Sequence, residues 1–192
     1  TKGSIDLIEM GKKVWGMNNL TAETAPHYFI LDDSILGDYD ANKKMSPPLR
    51  TSEDVEAMKR ALKEGIIDVI ATDHAPHHYD EKNVELEKAP FGIVGLETSF
   101  ALSYTHLVRT GILTPLELIE KMSYKPAQII NHPAGRLEVG APADIAIIEV
   151  DTPYVIDSST FVSKGKNTPF NGMEVYGDVE VTLVDGKIVY QK

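Results

Sequence analysis

The sequence contains no cysteine, which excludes disulfides, thiolate metal sites and cysteine nucleophiles together. Any metal bound by these 192 residues must therefore use His, Asp or Glu. No stretch approaches the roughly 20 apolar residues that span a bilayer, and no signal-peptide apolar region follows Thr1-Lys2-Gly3-Ser4. No Lys/Arg cluster offsets the formal charge of −10, so neither a nucleic acid nor an anionic membrane surface is expected as a partner. Internal repeats and low-complexity tracts are also missing. The apolar fraction of 42% is ordinary for a globular domain, and a cytoplasmic protein is the default expectation. The chain lacks an initiator Met and opens almost at once on a helical pattern, with Ser4 as expected N-cap and Ile5, Ile8 and Val14 behind it, so a start within a longer protein is expected.

What is present centres on VIATDHAPHH, residues 69–78. The apolar run 66–71 reads as a short buried strand, and Asp73 falls just past its end, where barrels and open α/β sheets place their chemistry. The plain alternative is a His-rich surface turn in which Asp73 caps a backbone amide. Upstream, residues 19–23 read as a strand and 24–28 as the loop leaving it, while Ser46-Pro47-Pro48 forbids helix. Thr51 and Asp54 fit a capping box for a helix carrying Val55, Met58 and Leu62 and stopped by Gly65. Residues 80–88 read as a charged, exposed loop, 96–108 as helix, and Thr114-Pro115 as the start of another. From Gly135 the texture becomes β: a strand at 143–150, then two strands over 179–190 joined by Asp185-Gly186, a type I′ hairpin signal.

Four motifs, TAETAPHYF at 21–29, ATDHAPH at 71–77, APFGIVGLET at 89–98 and GRLEVGAPADIAIIE at 135–149, resemble those of the dihydroorotases, cyclic amidohydrolases of pyrimidine synthesis. The likeness runs over nearly the whole chain. It implies an α/β fold, the last part of a (β/α)8 TIM-type metal-dependent hydrolase barrel plus the C-terminal strands of a small β-sandwich. Residues 1–133 would hold barrel strands seven and eight with their flanking helices, and residues 134–192 the sandwich strands.

The resemblance also implies a site. Asp73 would be both a zinc ligand and the general base, the complete protein holding one or two Zn2+ whose other ligands precede Thr1. His77 would hold the substrate carboxylate, and the backbone of Phe91 and Gly92 would meet the pyrimidine ring, glycine permitting the close approach. Ser46 stands where most such enzymes have Asn in an Asn-Pro-Pro-Leu-Arg motif, so a hydroxyl, a backbone group or a water would replace the amide contact. His74 is read as a supporting residue, and His27 is not expected to bind metal. The implied reaction is reversible cyclisation of N-carbamoyl-L-aspartate to dihydroorotate. Hydantoinases, dihydropyrimidinases and allantoinases share the fold, and hydantoinases often carry Ser at the position of Ser46. A catalytically silent scaffold for aspartate carbamoyltransferase is a third reading, against which the retention of Asp73 and His77 argues. Association with that enzyme, or a homo-oligomer, is compatible with the family.

Overall fold

A computed structural model describes all residues from Thr1 to Lys192. The chain divides into two compact units, residues 1–99 with 156–173, and residues 100–155 with 174–192.

The first unit opens with helix α1, Lys2–Lys13. Its cap is Thr1, whose side chain accepts the Ser4 N–H, so the helix begins before the expected Ser4 cap. Lys12 and Lys13 occupy its last turn, where cations complement the helix dipole. Strand β1 is Glu23–Thr24 rather than 19–23, because Leu20 is still turned back onto Met17 and pairing starts only where the Ala22 carbonyl meets the amides of Asp68 and Val69. One turn of helix, α2 at His27–Ile30, replaces the expected loop; Pro26 stands at its N-cap with a helical backbone. Helix α3, Ser52–Lys63, is capped by Thr51, which accepts from Asp54 N–H at 3.3 Å. The Asp54 carboxylate in turn accepts the Thr51 hydroxyl at 3.1 Å and the Lys2 amide at 2.6 Å. Gly65 ends this segment at φ +73, a conformation that costs glycine little.

Strand β2, Val69–Ile70, pairs parallel with β1 in the register Glu23↔Val69 and Thr24↔Ile70. The expected six-residue strand is thus cut to two residues of its second half. Helix α4, Tyr79–Lys82, lies inside the stretch read as exposed loop: His78 and Glu81 form a reciprocal capping box, and Lys82 is buried. After the excursion through the second unit, residues 156–173 return to the first. Val94 N–H donates to the Asn167 carbonyl, and the Glu97 carboxylate accepts from the amides of Val162 and Ser163. Ile5, Phe29, Met45, Leu62, Ile66, Ile67, Ile93, Ile156 and Phe170 form its core, each full burial contributing about 1.5–3 kcal/mol before the entropy of ordering is charged against it.

The second unit begins along helix α5, Ser99–Ser103, which widens into a π-turn over Tyr104–Val108. The expected helix at 96–108 starts three residues late because Gly95 to Thr98 form a turn closed on the Gly95 carbonyl. Thr114 caps helix α6, Pro115–Ile119, in a full capping box with Glu117. A second π-turn, Glu120–Tyr124, leads into α7, Lys125–Ile129. Strand β3, Ile145–Glu149, follows, then β4, Tyr154–Val155, and β5, Glu174–Val175, which pair antiparallel with each other. Strands β6, Asp178–Val184, and β7, Lys187–Gln191, complete a three-stranded antiparallel sheet in the order β3-β6-β7. Asp185 and Gly186 sit at φ +50 and +73, the pair of positive values that a type I′ turn requires.

Candidate active site

The parallel register of β1 and β2 places the residues just past both strand ends side by side. Ala71 N–H closes the pair on the Thr24 carbonyl at 2.7 Å, and the chain then turns at Asp73, which sits at φ +50. A left-handed backbone is uncommon at non-glycine residues, and Asp is among those that adopt it most readily. It leaves the Asp73 side chain about half exposed, with Oδ2 3.7 Å from Nε2 of His27. Partial burial raises the Asp73 carboxyl above its usual range. His27, just past β1, is fully buried, and burial pushes its imidazole down to about 4, so it is neutral at pH 7. Its Nε2 makes no hydrogen bond, an orphaned polar atom beside the one carboxylate at these strand ends.

Asp73 opens on a cleft of about 450 Å³ within the first unit, lined also by Glu23, Tyr28, Ser46, Pro47 and Arg50. Ser46 is exposed there, and the Tyr28 hydroxyl is fixed by donating to the Pro47 carbonyl at 2.8 Å. Ser46 and Asp73 therefore share a cleft. His77, Phe91 and Gly92 are not part of its lining and form a second group. His77 Nε2 lies 2.9 Å from the Phe91 carbonyl oxygen, and its Nδ1 is 3.5 Å from Glu81. The Phe91 ring is largely exposed, with the Lys44 ammonium 4.5 Å from its centroid. Gly92 has φ +113, and a Cβ there would stand 2.4 Å from the Ala75 Cβ, so only glycine fits. Both backbone groups of Gly92 are engaged within the chain: its N–H donates to Lys44, and its carbonyl accepts from Lys82 and Asn167. His74 Nδ1 accepts from the amides of Gly95 and Leu96, at 3.0 and 3.3 Å, which puts its ring proton on Nε2 and gives it a role in shaping the loop.

No group of three or more His, Asp or Glu side chains in these 192 residues could hold a metal ion. The Asp73 carboxylate, exposed and without a hydrogen-bond donor, suits a single ligand of a zinc site that needs about three. Three residues at the site carried no sequence signal. Lys82 lies in the stretch read as an exposed loop, and Lys44 and Asn167 stand in none of the motifs; each binds backbone carbonyls around Phe91 and Gly92.

A carboxylate past the end of a parallel β-strand thus stands beside a buried imidazole and faces a largely apolar cleft, at the strand-end address where α/β folds place their chemistry. The amidohydrolase family model matches residues 30–189, and the chain belongs to that family. Among curated proteins it is 53% identical over 191 residues to a dihydroorotase of Brevibacillus brevis, covering 99% of this chain and 44% of that one. It is 50% identical over its whole length to a dihydroorotase of Caldanaerobacter subterraneus, again spanning 44% of the relative. The chain thus spans less than half the length of the dihydroorotases it matches. Among solved structures, an L-hydantoinase (dihydropyrimidinase) from Arthrobacter aurescens superposes over the entire chain with a TM-score of 0.92 at 31% identity, and the chain covers 43% of it. A dihydropyrimidinase from Brevibacillus agri superposes over 97% with a TM-score of 0.90 at 28% identity, 42% of its own length being covered. No helix is long and apolar enough to cross a membrane.

Proposed function

We propose that these residues supply part of a zinc-dependent dihydroorotase, residues 1–133 the strand-seven and strand-eight portion of its barrel and residues 134–192 strands of its β-sandwich. The observation that carries the proposal is Asp73, held at positive φ beside buried His27 at the end of a parallel pair, in a chain about half identical to dihydroorotases. Asp73 supplies one zinc ligand, and the remaining ligands come from outside these 192 residues. When bound, zinc lowers the pKa of an attacking water and polarises the ring amide carbonyl. Asp73 accepts the proton of the water oxygen as that oxygen bonds to the carbonyl carbon, and delivers it to the ring nitrogen as the C–N bond breaks. In the reverse direction the same steps close N-carbamoyl-L-aspartate to dihydroorotate. His77, Phe91 and Gly92 form the edge that holds the ring and its carboxylate, and Ser46 contributes a hydroxyl at the cleft.

A second reading, hydrolysis of a hydantoin or dihydropyrimidine ring, is favoured by Ser46 and by the fold likeness to the Arthrobacter enzyme. One experiment separates the two. The chain replaces the matching segment of the Brevibacillus brevis relative, and the chimera is assayed on dihydroorotate, hydantoin and dihydrouracil. Dihydroorotate is expected to be the best substrate; preference for either other ring transfers the proposal to the second reading.

A further inference from the structure

Asn167 is almost fully buried and spends its side chain on two separate loops. Its Nδ2 donates to the carbonyls of Ala75 and Gly92, at 2.9 and 3.1 Å, and its Oδ1 accepts the His77 amide at 3.0 Å. One planar amide offers the two donors and the acceptor that this bridge needs. Asp, the nearest isostere, would turn both donors into acceptors facing carbonyl oxygens. Gly165 admits the segment: a Cβ there would stand 2.8 Å from the Pro76 Cβ and 2.9 Å from both Asn167 Oδ1 and the His77 nitrogen. Lys82, equally buried, grips the same loop by donating to the carbonyls of Pro90 and Gly92, each at 3.0 Å. The Gly92 carbonyl therefore receives two donors from different elements, which fixes its direction.

We propose that Asn167 is a positioning residue that locks the Ala75–His77 turn to the Phe91–Gly92 turn at one spacing. The His77 imidazole and the Phe91–Gly92 turn, whose Gly92 N–H and carbonyl are held within the chain, then form a single preformed edge beside a substrate ring. The inference rests on the assignment of those three residues to ring binding made under Proposed function. Without the bridge the two turns must be ordered each time substrate binds, and that cost falls on ground-state affinity rather than on the chemical step. Lys82 shares the work through the Gly92 carbonyl.

The test has two arms. In the chimera, Asn167→Asp, Asn167→Ala and Lys82→Met are expected to raise KM for dihydroorotate about tenfold or more while kcat changes less than about threefold, the pattern of lost substrate binding. In the 192-residue chain, NMR should find the His77 amide of Asn167→Ala exchanging with deuterium at least about tenfold faster, with the Val69 and Ile70 amides unchanged. If the Asn167 variants do not fold, Lys82→Met carries the kinetic arm and Gly165→Ala the exchange arm. A fall in kcat with KM unmoved, or His77 exchange unaltered, overturns the proposal. Absence of turnover in the unmodified chimera removes the functional reading instead, and His77 exchange then decides alone whether Asn167 holds the loop.

Discussion

Asp73 and Lys82 carry the two residue-scale consequences of burial. For Asp73 the question is proton transfer. Asp73→Asn keeps the side-chain shape, but an amide cannot take the proton of the attacking water and is a poorer metal ligand. In the chimera its turnover of dihydroorotate should fall by about a thousandfold or more, with an unchanged circular dichroism spectrum. Turnover within about tenfold of the parent would reject Asp73 as the base. Lys82 raises a question of pH. Burial and the neighbouring Lys44 push its ammonium down to about 8, only partly countered by Asp40. Between about 8 and the ordinary lysine value of 10.5, the unfolded chain holds a proton that the folded chain has released. Folding stability should therefore rise with pH across that window, and below about 8, where both states are protonated, this contribution is flat. Urea unfolding at pH 7.5 and 10 should show the gain in the parent and a smaller one in Lys82→Met; equal gains would refute the assignment.

At the scale of elements, Asp68 explains a polar residue in the middle of an apolar run. Its carboxylate accepts the Lys12 ammonium at 2.5 Å and the Ala22 amide at 2.8 Å, while Lys12 also donates to the Ile66 carbonyl. One side chain thus ties α1 to the entrances of β1 and β2, and with them the register that brings His27 to Asp73. Removing a single partner leaves the other charge largely shielded from water and unpaired, which is costly. Asp68→Ala should lower unfolding stability by about 2–4 kcal/mol in urea titration, and Lys12→Met combined with Asp68→Leu should recover part of the loss. A loss below about 0.5 kcal/mol would show that packing alone sets the register.

At the scale of the whole molecule, ligand number decides what the chain does alone. One carboxylate does not hold zinc against water, and no cluster of three candidate ligands exists here. Purified residues 1–192 are expected to carry well under one zinc per chain by mass spectrometry and to leave dihydroorotate unhydrolysed. Stoichiometric zinc with steady turnover would mean that His27 or His77 belongs to an unsuspected site. The sequence by itself determined the elements whose signals are local: the Thr51 and Thr114 caps, the Gly65 stop and the Asp185-Gly186 hairpin each depend on atoms a few residues apart. It also marked Asp73, because an apolar run ending on Asp is visible without coordinates. Strand lengths escaped it, since β1 and β2 extend only as far as each finds the other, and so did the one-turn helix α4, too short to show an apolar period. Only the tertiary structure decided that His27 meets Asp73 and that Lys82 and Asn167 grip the Gly92 carbonyl. Those partners lie 46, 10 and 75 residues apart, and whether a charged or amide side chain is solvated or buried depends on what the fold brings to it, not on its neighbours in sequence.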